Sequence, residues 1–234
     1  MIYSILSILI KEQKEYTYLP TRTTAEKINL QAHYKPVNKK NIQMKFDLKL
    51  KDVLIAQVHQ TIPTITTLFP MIKSMDGLIN CHLTLSSQLD NQMMPVIGTT
   101  EAICSINGQD MTLMDHEVFQ NIAKKLKFKN KKKNKIDYLS ADLILKNNQI
   151  EVIPFQLSWD RYEAIVGGTH TTDFTYNYHV SMLKSPIPFD LGVDLFGKTD
   201  EMHYKLAKCK YKDLYKDGGA THKRKTQERL NSKR

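Results

Sequence analysis

Apolar and polar residues alternate with a period of two along most of this chain. Every second side chain of the segment 42–50 is apolar: Ile42, Met44, Phe46, Leu48 and Leu50. The intervening positions are polar or charged, which is typical of a β-strand that buries one face and exposes the other. The same pattern recurs in KINLQAHYK (27–35) and INCHLTLSS (79–87). The pattern therefore predicts a protein rich in half-buried strands.

Asparagine and glycine punctuate two further alternating segments. Asn147-Asn148 divides YLSADLILKNNQIEVIPFQLSW (138–159), and asparagine tolerates the positive φ of a type I′ turn, so a hairpin is predicted there. The segment TEAICSINGQDMTLM (100–114) contains Asn107-Gly108, a favoured tight turn, and is interpreted as one strand or as two strands broken at that pair.

Two segments change to helical spacing. Between Leu54 and Met75 apolar residues recur at intervals of three and four, and Pro63 and Pro70 divide the segment into two or three short helices. The segment 115–127 has an apolar stripe and basic residues towards its C-terminal end, which predicts a second helical insertion. The predicted fold class is therefore mainly β, antiparallel, with two short helical insertions.

Charge is concentrated in two places. Of the 234 residues, 124–135 include eight lysines and no acid, and 219–234 carry six basic residues against Glu228. The net charge is +10, so the rest of the chain is slightly acidic. This distribution disfavours a nucleic-acid domain built around a basic face, and no nucleic acid is expected as a partner. It leaves contact with an anionic membrane surface open.

The apolar start MIYSILSILI is shorter than the roughly 20 residues of a membrane span and lacks the flanks of a signal peptide. The three cysteines, Cys81, Cys104 and Cys209, form no CxxC pair, and the first two are predicted to be buried free thiols. Common catalytic, phosphate-binding and zinc-binding motifs are absent from the sequence, so no enzyme, cofactor or metal is predicted.

The segment GGTHTTDFTYNYHVSML (167–183) is the best candidate for chemistry. It could be a hydrolase site using His170, Asp173 and His179, a metal site, or a turn followed by a strand. Alternation places His179 on the polar face of a strand and His170 in the preceding turn. One loop supplies at most two metal ligands where three are needed. The structural interpretation is therefore favoured.

The order of short signals along the chain resembles the C-terminal region of AsmA-family proteins, in the form found in Bacteroidetes. The signals are Pro70, MDGLINCHLTLSSQLD (75–90), Pro95, Gly98, VFQNIAKKLKF (118–128), IEVIPFQL (150–157), Gly168, Asp173, Tyr178 and GKTDEMHYKLAKCKYKDLY (197–215). The resemblance covers about residues 27–215. In the family, a glycine followed at intervals of five by an aspartate and a tyrosine marks a turn and a strand, which also favours the structural interpretation.

The resemblance implies a strongly curved sheet forming an open groove or half-barrel with an apolar interior. It also implies a role in outer-membrane assembly and phospholipid traffic on the periplasmic side of the bacterial inner membrane. Phospholipid and the membrane surface are then the expected partners. Seven side chains are predicted to face the groove: Met44, Phe46, Leu48, Leu83, Leu85, Leu143 and Leu145. Six lysines are candidates for the membrane surface: Lys124, Lys125, Lys127, Lys131, Lys132 and Lys133.

Three regions are expected: a lead-in at 1–26 that is a remnant of a longer chain, an AsmA-like domain at 27–215, and a flexible basic tail at 216–234. Compared with the family, this sequence is expected to lack the N-terminal membrane anchor. Two alternatives stay open beside the lipid groove. One is a closed-core β scaffold that docks on membrane or anionic partners through its basic loop and tail. The other is the hydrolase.

Overall fold

Strands occupy most of the part of the chain that the structure describes. The computed structural model describes residues 28–36, 42–61, 75–92, 95–114, 133–159, 162–184, 191–198 and 201–233. The strands are β1 (Ile28–Pro36), β2 (Ile42–Leu54), β3 (Met75–Leu89), β4 (Glu101–Met114), β5 (Lys133–Lys146), β6 (Gln149–Trp159), β7 (Tyr162–Thr171), β8 (Thr175–Lys184), β9 (Leu191–Lys198) and β10 (Glu201–Lys208). The helices are α1 (Ile55–Thr61), α2 (Ala220–Asn231) and two 3₁₀ turns, Ile97–Thr99 and Lys212–Tyr215.

The ten described strands form one antiparallel sheet in strict chain order, from β1 at one edge to β10 at the other. Each strand pairs with the strands that precede and follow it in the sequence, and the sheet is not closed into a barrel. The predicted fold class, mainly β with a long antiparallel sheet and two short helices, is confirmed.

The turn at Asn147-Asn148 joins β5 to β6 as predicted, with φ angles of 52° and 60°. The expectation at Asn107-Gly108 is resolved in favour of one strand, because both residues lie inside β4 and pair with β5. The glycine there serves packing, since a Cβ on Gly108 would lie 2.1 Å from the sulfur of Met111. His170 is the penultimate residue of β7, so its predicted place in a turn was wrong.

Register shifts interrupt the pairs β2–β3, β3–β4, β5–β6, β6–β7 and β7–β8. On β2 the extra residue falls at Asp52, which has a positive φ of 49° and whose amide donates to Asn80 Oδ1 at 3.1 Å. Pro154 lies at the β6–β7 shift, where the ladder does not need its missing N–H. Because bulges bend strands and increase their twist, they supply the means of curving so long a sheet.

One face of the sheet is mainly apolar, and we call it the apolar face. Directly opposed residues of antiparallel strands point to the same side. The cross-strand row through its centre reads Leu48, Leu83, Cys104, Leu143, Val152, Gly168, Tyr178, Leu195 and Tyr204. The parallel row beside it reads Phe46, Leu85, Ala102, Leu145, Ile150, His170, Tyr176, Gly197 and Met202.

The C-terminal residues pack on the opposite face of the sheet, so the prediction of a flexible tail at 216–234 was wrong for its described part. Leu230 of α2 is only 1% exposed and packs among isoleucines of β4, β5 and β6. Arg229 donates twice to the carboxylate of Glu151, at 2.6 and 2.5 Å. The Pro154 carbonyl accepts hydrogen bonds from Tyr215 Oη at 3.2 Å and His222 Nε2 at 2.7 Å.

The helix predicted after Leu54 begins at Ile55, and its apolar residues Ile55 and Val58 are buried in the main core. The second predicted helix, at 115–127, lies outside the described residues, as does the lead-in at 1–26. Neither described helix has the length and apolarity required to cross a lipid bilayer.

Candidate functional site

The seven predicted groove residues lie on one face, the apolar face, in adjacent rows of neighbouring strands. Leu48, Leu83 and Leu143 belong to the central row, and Phe46, Leu85 and Leu145 belong to the row beside it. Met44 follows Phe46 on the same side of β2. The alternation of apolar residues therefore locates a shared surface that spans β2 to β5.

Burial divides these seven residues into two groups. Met44, Leu48 and Leu143 are buried, with 5%, 7% and 7% of their surface exposed. Phe46, Leu83, Leu85 and Leu145 are half-buried. Leu48 belongs to a large core cluster that also includes Val180 and Val193 of β8 and β9, whereas Leu143 belongs to a smaller cluster with Ile150 and Val152.

Two cysteines interrupt the aliphatic surface. Cys81 of β3 and Cys104 of β4 are half-buried free thiols on the apolar face, and their sulfurs are 3.6 Å apart. The hydrogen bond with Cys104 lowers the pKa of Cys81, whereas the same contact, with burial, raises the pKa of Cys104. Their separation by 23 positions hid this pair from sequence analysis, because only the β3–β4 register brings the two residues together.

A polar aromatic group lies on the apolar face towards β8. His170 is 2% exposed, and its Nδ1 lies 2.9 Å from the hydroxyl of Tyr178. The rings of His170 and Tyr176 stack with centroids 5.2 Å apart. The Tyr176 hydroxyl is buried and has no hydrogen-bond partner in the described part of the chain. Burial raises the pKa of Tyr178, so its hydroxyl stays protonated and available as a donor.

The opposite face carries a polar cluster that we call the C-terminal clasp: His179, Ser181, Asp194, Lys210 and Tyr211. His179 Nδ1 lies 2.6 Å from Asp194 Oδ1, and His179 Nε2 lies 2.9 Å from Ser181 Oγ. Lys210 Nζ also lies 2.6 Å from Asp194 Oδ1. Tyr211 packs edge-on against the His179 ring, with an interplanar angle of 83°.

Burial and the charge of Lys210 shift the pKa values of His179 and Asp194 in the clasp. Burial lowers the pKa of His179 below its ordinary value, against the opposing effect of the Asp194 carboxylate. Burial alone would raise the pKa of Asp194, but hydrogen bonds from Lys210 and His179 hold it below its usual range. The arrangement therefore favours a neutral imidazole next to an ionised carboxylate that is neutralised by Lys210.

The order carboxylate, imidazole, hydroxyl is also that of a serine hydrolase. Ser181 is nevertheless fully buried, with 0% of its surface exposed. Its Oγ accepts the backbone N–H groups of Lys210 at 2.9 Å and Tyr211 at 3.0 Å. A hydroxyl with its lone pairs engaged by amides and no surface open to solvent lacks the access that a nucleophile needs. The geometry is that of a link between the sheet and the segment after β10.

The predicted hydrolase residues do not converge. His170 points to the apolar face and His179 to the opposite face. Asp173 is exposed in the turn after β7, where a hydrogen bond from the Thr171 hydroxyl lowers its pKa. Two residues do contact His179, namely Ser181 and Asp194. They were not singled out from the sequence, because their contact depends on the β8–β9 register.

The predicted membrane-surface lysines fall largely outside the described residues. Lys124, Lys125, Lys127, Lys131 and Lys132 are not described, and Lys133 is described only through its backbone pairing with Met114. Within the described ranges, no group of three or more histidine, cysteine, aspartate or glutamate side chains is placed to bind a metal ion.

Comparisons of the chain with models of protein families, with curated proteins and with solved structures found no match.

Proposed function

We propose that this chain is a non-enzymatic cell-envelope module, AsmA-like, that handles phospholipid by holding acyl chains on the apolar face of its sheet. The observation that carries the proposal is the common orientation of the seven groove candidates across β2 to β5. Four of them, Phe46, Leu83, Leu85 and Leu145, are only half-buried, so a ligand would remove further apolar surface from water.

Acyl chains suit such a surface because apolar contact alone binds them, without catalytic or charged groups. Each methylene removed from water contributes about 0.8 kcal/mol, so a contact with several half-buried side chains accumulates useful affinity. The central row crosses the nine strands β2 to β10 of one sheet, and an elongated ligand would lie across these strands. The proposed location, the periplasmic side of the bacterial inner membrane, rests on the resemblance to the AsmA family.

Native mass spectrometry of the purified chain, with solvent extraction and lipid identification, tests the proposal. The expected result is stoichiometric phospholipid that survives high salt. Phe46→Asp and Leu83→Asp should each abolish lipid retention, because each places a charge on the apolar face. Gln43→Asp is the matched control, since it adds the same charge to the same strand at an exposed position on the opposite face.

A clean ligand-free mass, with no uptake from added phospholipid vesicles, contradicts the proposal. Equal lipid retention in Gln43→Asp and Phe46→Asp also contradicts it, because lipid would then bind elsewhere on the protein. Circular dichroism and thermal unfolding of each variant separate loss of the ligand surface from loss of the fold.

The second candidate is the closed-core scaffold that docks on an anionic partner. The observation in its favour is that α2 is fixed to the sheet by Leu230 and Arg229 while Lys223, Arg224 and Lys225 remain exposed. This candidate predicts binding to anionic vesicles that weakens steeply between low and high salt, with no lipid in the purified protein. Replacing these three basic residues with glutamine should then abolish vesicle binding and leave thermal stability unchanged.

A further inference from the structure

Two of the three cysteines, Cys81 and Cys104, lie with their sulfurs 3.6 Å apart. Cys81 is opposite Ile106, and Cys104 is opposite Leu83, so the cysteines are diagonal neighbours on adjacent strands. Both side chains lie on the apolar face, and a contact between them needs no rearrangement of strand order. The third cysteine, Cys209, follows β10 and instead contacts the carbonyl of Met182 in β8.

The two sulfurs are in contact as free thiols. A disulfide requires about 2.05 Å between sulfurs, so the pair must close by roughly 1.6 Å. Each cysteine has one side-chain torsion, and small rotations of both toward each other reduce the gap. The twist of adjacent strands shortens one diagonal relative to the other, and the register shift between Asp76 and Leu78 adds to the twist of this pair.

The contact is also chemically asymmetric. The hydrogen bond with Cys104 lowers the pKa of Cys81. The same hydrogen bond, together with burial, raises the pKa of Cys104. Since the thiolate is the attacking species in thiol–disulfide exchange, Cys81 is the residue prepared to react first.

We propose that Cys81 and Cys104 form a reversible intramolecular disulfide by exchange with a small-molecule disulfide such as oxidised glutathione. The Cys81 thiolate attacks one sulfur of the oxidant, forming a mixed disulfide and releasing one glutathione thiolate. Cys104 then loses its proton to solvent, and its thiolate attacks the Cys81 sulfur and releases the second glutathione. Two protein thiols are oxidised, and one glutathione disulfide is reduced to two thiols.

The bond would join β3 to β4 on the apolar face, from Cys104 in the row of Leu83 and Leu143 to Cys81 in the adjacent row of Leu50 and Ile106. It would close a covalent loop from residue 81 to residue 104 and so restrict the unfolded chain. For a loop of this length, the expected consequence is a rise in Tm of about 5–10 °C on oxidation. This modification is independent of the proposed lipid function, because it depends only on the two thiols and an oxidant.

The test equilibrates the full chain in glutathione buffers from fully reduced to fully oxidised, quenches with acid and alkylates the remaining thiols. In the oxidised buffer, intact mass should show the loss of two hydrogen atoms and one alkylated cysteine. Peptide mapping should then place the bond between Cys81 and Cys104. Added dithiothreitol should restore three alkylated cysteines and the lower Tm.

Variants distinguish the two roles. Cys104→Ser should accumulate a glutathione adduct on Cys81, because nothing resolves the mixed disulfide, whereas Cys81→Ser should form far less adduct on Cys104. Cys209→Ser is the control and should oxidise like the wild type. An oxidised wild-type protein that keeps three alkylatable thiols overturns the proposal. So does a bond that includes Cys209, and neither result depends on whether a variant folds.

Discussion

The imidazole Nδ1 of His179 lies 2.6 Å from Oδ1 of Asp194, and this pair joins β8 to β9 beneath the returning C-terminal segment. The same carboxylate oxygen lies 2.6 Å from Lys210 Nζ. His179 and Asp194 thus both contact Lys210, which follows them by 31 and 16 positions along the chain. Because the histidine is held in its neutral form, this connection is sensitive to pH.

Acidification should destabilise the protein through His179. Its pKa in the folded state is lowered from 6.5 by burial, so the unfolded chain binds the proton more tightly than the folded chain does. Stability from this group is therefore complete above about pH 6.5 and is lost as the pH falls towards the lowered folded-state value. Denaturant titrations between pH 8 and pH 5 should show that the free energy of unfolding decreases as the pH falls below about 6.5.

His179→Gln should flatten this pH dependence, although the variant is less stable at pH 8. His203→Gln is the control, since that histidine is 55% exposed and should leave the slope unchanged. A wild-type slope retained in His179→Gln would show that other groups are responsible. Asp194 also has a lowered pKa. The stability that it contributes is lost only near and below its ordinary pKa of 3.8, so the two effects are separable by pH.

Ser181→Ala should destabilise the protein by about 1–3 kcal/mol. The substitution removes the Oγ that accepts the amides of Lys210 and Tyr211, so the Tyr211 amide loses this acceptor and the Lys210 amide keeps His179 Nε2, at 3.2 Å. Chemical denaturation measures the change. Ser140→Ala, at a half-buried position of β5, is the matched control and should cost less than about 0.5 kcal/mol. Equal stability of the two variants would mean that the clasp contributes nothing to the fold.

Leu230→Ala should release α2 from the sheet. Leu230 is 1% exposed and is the residue through which the helix enters the cluster of Ile103, Ile144 and Ile153. Its truncation should cost about 2–3 kcal/mol, and local opening should accelerate trypsin cleavage near Lys225 by on the order of 30-fold or more. Gln227→Ala, on the exposed side of the helix, should be cleaved at the wild-type rate. Rapid cleavage of the wild type would contradict a docked helix.

Tyr176→Phe and Tyr178→Phe should have opposite effects. The Tyr176 hydroxyl is buried with no hydrogen-bond partner in the described residues, so its removal should stabilise the protein by about 1 kcal/mol. The Tyr178 hydroxyl lies 2.9 Å from His170 Nδ1, so its removal should destabilise the protein by a similar amount. Thermal unfolding of both variants in parallel decides the point, and a loss of stability in Tyr176→Phe would reveal a partner for that hydroxyl.

The strands were predictable where a single period of two covers the whole element. The residues of β2 from Ile42 to Leu50 alternate without interruption, and the asparagines at 147 and 148 have the φ angles expected of a tight hairpin. Gly108 left the prediction open between one strand and two, because a glycine that makes room for the Met111 side chain looks the same in sequence as a glycine in a turn. The conformational propensity of glycine is the same in both cases. The difference is the packing of the Met111 side chain, three residues further along, against Gly108.

The C-terminal helix and the clasp were not predictable for a related reason. In α2 the only large apolar side chain in the core is Leu230, so helical periodicity is absent, and the helix is held by polar contacts such as Arg229–Glu151. The clasp unites His179, Asp194 and Lys210, which carry no local signal. Their meeting depends on strand register and on the path of the chain after β10.

The strict chain order of the ten strands has a consequence for how the protein folds. Every strand finds its partner in the segment immediately before it, so no crossover has to be closed over a long stretch of disordered chain. Contact order is therefore low for an all-β topology, which favours fast folding. Once one hairpin has formed, its open edge is a template on which the next strand can be added. The sheet can therefore grow strand by strand, starting from either end.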